Sequence, residues 1–209
     1  MGSLLAVGVW EPDSVSKLQI NAKDFSLAPF GSLLGPDLQL DGTIDLESDL
    51  TWSSTGISGE TQAKVNELSL NRTRLGDLQL RGDFSEQGFY INESILNTKN
   101  GTVGVQGYLP WPEQFLSIMN QSDNSGAVFR SVNLEFEFKN TSLEIINSSL
   151  PENVTVTNGL VNGNLKIQGG YGWPVFSGNL EGTNIGATVS GLPLPITNTR
   201  AAVEIDHNR

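Results

Sequence analysis

The chain has no cysteine and one histidine, and its 23 acidic residues outnumber 12 basic ones, for a formal net charge of -11 over 209 residues. Without cysteine there is no disulfide framework, no thiolate-held zinc or iron–sulfur centre and no thiol nucleophile. A single histidine excludes a multi-histidine metal site and leaves any imidazole chemistry to His207, near the end of the sequence. Too few bases, and an isoelectric point near 4.4, argue against a nucleic-acid partner, because neutralising phosphates takes clustered Lys and Arg. The same deficit argues against docking on anionic head groups by charge alone. Long hydrophobic runs are missing as well. Leu4 to Trp10 falls far short of the ~20 residues of a spanning helix and lacks the basic flank of a signal peptide.

What the chain does have is glycine and alternation. Glycine makes up 23 of 209 residues, about 11% against a usual ~7%, without low complexity, which points to many turns and bulges between strands. Period two dominates. Leu18, Ile20 and Ala22 alternate with polar residues, as do Leu38, Leu40, Ile44 and Leu46; Leu78, Leu80 and Phe84; Val103, Val105 and Leu109; Val132, Leu134, Phe136 and Phe138; Leu165 and Ile167; Phe176 and Leu180; and Ala201, Val203 and Ile205. One apolar and one wet face is the antiparallel habit, whereas parallel strands read as unbroken apolar runs. Between Thr61 and Leu70 the apolar parity moves from Ala63 and Val65 to Leu68 and Leu70, which predicts a β-bulge near Asn66 or Glu67. Apolar-x-apolar-x-Gly recurs at Gly42, Gly82, Gly107 and Gly169, with spacing too irregular for a solenoid. About fourteen strands are expected, a ribbon of roughly 65 Å at ~4.8 Å per strand. Two short helices are expected to dock on the sheet, over 29–34 and 112–119, the second with Pro112 at its first position.

No nucleophile elbow, phosphate-binding loop, zincin helix or calcium loop occurs. Asp41, Asp45, Glu47 and Asp49 share one strand parity; calcium or acid–base work is the ambitious reading, a solvated face the plainer one. Trp10, Trp52, Trp111 and Trp173 suit either sugar stacking or packing at strand ends. Asn-x-Ser/Thr sequons such as Asn71-Arg72-Thr73 and Asn147-Ser148-Ser149 follow from a composition rich in those residues. No catalytic residue, metal site or cofactor is expected, and no enzymatic activity.

The order of elements carries a resemblance. NGNLKIQGGYGWPVFSGNLEGTNIGATVSGLPLPITNTRAAVEID, from Asn162 to Asp206, runs strand, glycine, Trp-Pro step, Gly-Asn-Leu strand, short strand and a final GLPLPITNTRAAVEI. LQINAKDFSLAPFGSLLGPDLQLDGTIDLESDLTW, from Leu18 to Trp52, reads as strand, short helix, strand, and NTKNGTVGVQGYLPW, from Asn97 to Trp111, adds a glycine step before a strand. This order resembles the repeat of the AsmA-like superfamily and, within it, the TamB family of large periplasmic subunits of the translocation and assembly module. The resemblance implies an all-β fold: a strongly curved antiparallel sheet, the β-taco, open along a groove with an apolar lumen. It implies a parent protein anchored in the inner membrane, or the chloroplast-envelope equivalent. Such a parent spans the periplasm to an outer-membrane barrel partner of the Omp-assembly type, and serves lipid passage or outer-membrane protein assembly. On this reading residues 1–3 are a cloning scar and 4–209 a single elongated segment of a longer protein, with any subdomain break near 120–126.

The groove-lining residues expected to meet phospholipid are then Leu38, Leu40, Ile44, Leu46, Leu78, Leu80, Val103, Val105, Val132, Leu134, Phe136, Phe138, Leu165, Ile167, Phe176 and Leu180. Burial there would stabilise an acyl chain by ~0.8 kcal/mol per methylene before ordering costs. Two other functions fit the same alternation: a chaperone segment that binds unfolded outer-membrane barrel proteins by strand addition, and a carbohydrate-binding β-sandwich or adhesin module. A closed two-sheet core would mark the last.

Overall fold

The alternation becomes strands paired strictly in chain order. The structure, a computed structural model, describes residues 2–9, 16–31, 39–53, 56–111, 131–151, 153–170 and 173–206. Its strands are β1 (Ser3–Val9), β2 (Ser16–Ser26), β3 (Leu40–Ser53), β4 (Gly56–Leu70), β5 (Thr73–Ser85), β6 (Gly88–Asn97), β7 (Thr102–Pro110), β8 (Val132–Ser142), β9 (Val154–Gly169), β10 (Val175–Val189) and β11 (Ile196–Ile205). They form one antiparallel sheet in the order β1 to β11, which does not close on itself. Two 3₁₀ segments accompany it, η1 (Ala28–Phe30) and η2 (Leu143–Ser149). Among the described residues no helix is long and apolar enough to cross a membrane.

The described residues form eleven strands against about fourteen expected for the chain, a ribbon nearer 50 Å across at ~4.8 Å per strand. One strand of the difference has a physical cause. β10 contains both the Gly-Asn-Leu run and what read as a separate short strand, because a bulge at Asn184 flips its parity midway. The helix expected over 29–34 begins as η1, with Pro29 in its first turn and the Phe30 ring 6.0 Å from that of Phe25. Residues 32–34, the helix expected over 112–119 and the break near 120–126 lie outside the described residues.

Bulges recur across the sheet. β2, β4, β6, β8 and β10 each hold one extra residue relative to their neighbours. Four of the residues at these bulges, Asp24, Glu67, Asn140 and Asn184, sit in the left-handed region at φ 49, 55, 48 and 51°, where the extra residue bends a strand and tightens its twist. The one anticipated from sequence is at Glu67: Val65 pairs with Leu78, then Leu68 with Gly76. Three of them share a clip. The N–H groups of Asp24, Glu67 and Asn140 donate to the side-chain oxygens of Asp45, Asp77 and Asn162 on the following strand, each at 2.8 Å. An aspartate or asparagine there satisfies an amide that the broken ladder leaves unpaired. The β4–β5 turn, Asn71-Arg72, has both residues left-handed (φ 48 and 67°), the two-residue geometry whose twist matches that of the flanking strands.

The substantial contacts of each strand are with its sequence neighbours or with a 3₁₀ segment, so no second sheet packs on the first among the described residues. The closed two-sheet core of an ordinary sandwich is therefore not formed by them.

Candidate functional site: the uncovered apolar face

Partners across an antiparallel ladder point to the same side, so register sorts every side chain onto one of two faces. One row runs Leu46, Ala63, Leu80, Ser94, Val105, Phe136, Leu165 across seven strands. The next runs Ile44, Val65, Leu78, Leu96, Val103, Phe138, Gly163, Leu180, Val203 across nine. Leu134, Ile167 and Phe176 form a third, while Leu40 stands opposite Leu70 and Val132 opposite Gly169. Fifteen of the sixteen residues expected to line a groove thus share one face; Leu38 lies outside the described residues. Along the inner strands this face is mostly buried or half-buried and the residues between are mostly exposed, while β1, most of β11 and Phe176 on β10 are exposed on this face as well. In β8, for example, Leu134, Phe136 and Phe138 are half-buried while Asn133, Glu135 and Glu137 are exposed. Neighbouring apolar side chains shield one another here, in place of a covering layer.

Glycine shapes the same face. Gly42, Gly82, Gly107 and Gly169, the recurring glycines of the sequence, all fall on it by register. At Gly107 the backbone takes φ 133°, and an added Cβ would run into the carbonyl of Asn133 on β8; only glycine lets the two strands approach there.

The two ends of the face are finished differently. At one, Phe84 packs on Phe89 (ring centroids 4.7 Å apart) and stacks on Trp111 (5.7 Å, 5° between planes), whose indole N–H donates to Ser85 O at 2.8 Å. Trp111 therefore packs at a strand end. At the other, η2 lies over the apolar face. Ser142 caps it by accepting from Glu144 N, and Asn147 exchanges two hydrogen bonds with the backbone of Val156 (2.9 and 2.8 Å), standing in for the strand that β8 no longer supplies. Leu143 sits above Gly159 and Gly182, its Cδ1 2.9 Å from where a Cβ on Gly159 would stand. η2 makes its main contacts with β9 and with β5, four strands away. A flat sheet would hold those strands about 19 Å apart at ~4.8 Å per strand, so the apolar face is concave here.

The opposite face is polar and carries most of the strand charge. Asp41, Asp45, Glu47 and Asp49 all lie on it. Asp45 serves the Asp24 clip, and Asp49 accepts from Gln19 Nε2 at 2.6 Å. No cluster of potential metal ligands occurs among the described residues, and His207 and Trp10 lie outside them. A hollow of about 800 Å³ opens on this polar side, from Leu5 on β1 past Lys23, Glu47, Lys64 and Arg81 to Glu93 and Ile95 on β6. A smaller one of about 320 Å³ continues past Gln106 and Glu135. Leu46 and Leu80 border the larger hollow and Val105 and Phe136 the smaller, but both open mainly among polar-face residues, because the twist of the sheet curves each face. Trp52 (42% exposed) and Trp173 (88%) are the described tryptophans still open to a ligand.

Sequence reasoning missed Val65 and Leu96, both opposite the expected Leu78, and Phe89, opposite Phe84, on the apolar face. The parity change at the β4 bulge, applied also to β6, would have found them. No family model, no curated protein and no solved structure matches this chain.

Proposed function

We propose that the apolar face holds phospholipid acyl chains, and that the protein is a non-enzymatic lipid-conduit segment of a periplasm-spanning protein of the AsmA-like kind. The observation that carries this reading is the pair of long rows of Leu, Val, Ile and Phe that run strand to strand with no second sheet over them among the described residues and only η2 lying over one end. A face of this composition removes methylenes from water at ~0.8 kcal/mol each. Its open side leaves a head group hydrated, which avoids the cost of burying charge. Rows of similar side chains present no single deep site, so a chain can slide along them. In the parent protein such a segment connects the inner membrane to an outer-membrane barrel partner of the Omp-assembly type.

Photo-crosslinkers placed at Leu134, Phe136 and Leu165 test the reading in cells. Phospholipid adducts from these three, and none from Glu135 or Lys166 on the opposite face, are the expected result; adducts only within the protein, with no co-purifying lipid, would sink it. A second reading, capture of unfolded barrel proteins by strand addition, is favoured by one observation: β1 pairs only with β2 and β11 only with β10, so both lateral edges are open among the described residues. Crosslinks from β1 or β11 to unfolded barrel proteins would favour it over lipid.

A further inference from the structure

The apolar face has two long margins, each made of the turns that join neighbouring strands, so neither depends on what lies beyond β1 or β11. They differ in composition. Trp52 at the end of β3, Tyr90 at the start of β6, Tyr108 and Trp111 at the end of β7 and Trp173 ahead of β10 all fall at one margin. These are every tryptophan and tyrosine among the described residues. Trp52 shares the apolar face with Leu50, and Tyr90 and Tyr108 pair on the outer side of the same margin, their rings 4.6 Å apart. Trp52 and Trp173 are exposed, and neither indole N–H has an acceptor among the described residues. The other margin is polar and covered. It holds Glu67, Asn140 and the Asn71-Arg72 turn, all left-handed. From it η2 reaches over the apolar face, with Glu144 4.0 Å from Lys99 Nζ in the β6–β7 turn. Arg74, Lys99 and Lys139 gather at this margin, each within 4.0 Å of a carboxylate. At the aromatic margin the described turn residues include no Lys or Arg; Lys17 and Lys166 come nearest by register, and both lie on the polar face.

Tryptophan and tyrosine join an apolar body to a polar tip, and they collect where hydrocarbon gives way to head groups. We propose that the aromatic margin is the head-group lip of the conduit, with lipid tails lying across the apolar face toward the bulges and zwitterionic head groups that bear an ammonium standing at Trp52 and Trp173. The proposal rests on the lipid-conduit reading and adds to it an orientation and a head-group class. The orientation follows from the two margins: η2 overlies one, and the exposed indoles stand at the other. The class follows from charge. An ammonium packs over an indole face and is drawn to a chain of net charge -11. An anionic head group meets that same charge with no cation in the described turns to neutralise it. The lip therefore takes phosphatidylethanolamine ahead of phosphatidylglycerol. Trp52 and Tyr90 are three strands apart, as are Tyr108 and Trp173, about 14 Å at ~4.8 Å per strand, so aromatic contacts recur along the lip from β3 to β10.

Two photoactivatable phosphatidylethanolamines test this with the full chain and liposomes, one carrying a diazirine on the head group and one at the end of an acyl chain. The head-group probe is expected to label the peptides around Trp52 and Trp173, and the tail probe the apolar face nearer the bulges, at Val65 and Phe138. Unlabelled phosphatidylethanolamine is expected to displace the head-group probe about threefold or more better than phosphatidylglycerol with the same acyl chains. Trp52→Leu combined with Trp173→Leu keeps the margin apolar but removes the indoles, and is expected to lower that ratio while tail labelling persists. Tail labelling with the head-group probe at Asn71-Arg72 and Lys99, or spread evenly over both margins, overturns this inference and leaves the conduit reading standing. Equal displacement by the two lipids, or a ratio unmoved in the double variant, does the same. No tail labelling on the apolar face takes down the conduit reading itself, and this inference with it.

Discussion

The two faces of this sheet are made by the same strands, yet they obey different rules. On the apolar face side chains meet one another and, at the glycines, the neighbouring backbone. On the polar face they meet mainly water and occasional partners, such as Gln106 with Glu135 at 3.2 Å. Within one strand a step of a single residue therefore moves from a more constrained position to a freer one.

β7 offers the sharpest way to break that comparison. Gly107→Ala pushes a methyl into the Asn133 carbonyl at a φ of 133°, and is expected to cost about 2–4 kcal/mol. Gly104, three residues earlier on the other face, has no atom within 3.8 Å of a new Cβ and no left-handed φ. Gly104→Ala is therefore expected to be neutral or stabilising by up to about 1 kcal/mol. Urea unfolding of both variants checks the pair, and equal losses would erase the distinction between the faces.

β8 sharpens it more gently. Phe136 is half-buried and Glu135 exposed. Truncating a fully covered phenylalanine costs about 3–5 kcal/mol, so an uncovered face predicts roughly half that for Phe136→Ala and within about 0.5 kcal/mol for Glu135→Ala. A full-sized loss at Phe136 would mean that protein, and not solvent or lipid, covers this face. The smallest expected effect concerns the clips: Asp77→Ala removes the acceptor of Glu67 N–H and is expected to cost about 1 kcal/mol. Glu67→Gly, which relieves the left-handed φ, is expected to restore part of it. Hydrogen exchange at the Glu67 amide is the direct readout.

Much of this was legible in the residues. One-sided alternation predicts an antiparallel sheet, fifteen of the sixteen chosen side chains share its apolar face, and the parity change in β4 marks its bulge. Other elements were hidden by the same physics. β6 reads as no strand because Phe89 and Ile91 face one way before its bulge and Leu96 faces that way after it, at the opposite parity. Tyr90 and Ile95 add apolar residues on the polar face, which blurs the pattern further. β1, apolar on both sides, shows no period at all. η2 is set by Leu143 settling over two glycines that come from β9 and β10, a relation between distant segments that no local pattern carries. The polar-side hollow arises from the coil of the whole sheet and is written in no single strand.

Strand order that simply follows chain order has a consequence for size. Each hairpin rests on the one before it, so adding or removing two strands changes the span by about 10 Å without rewiring anything else. An architecture of this sort behaves like an extension ladder: its length can be matched to a gap by duplicating rungs, and a polypeptide emerging gradually from a channel can lay those rungs down in sequence as they arrive.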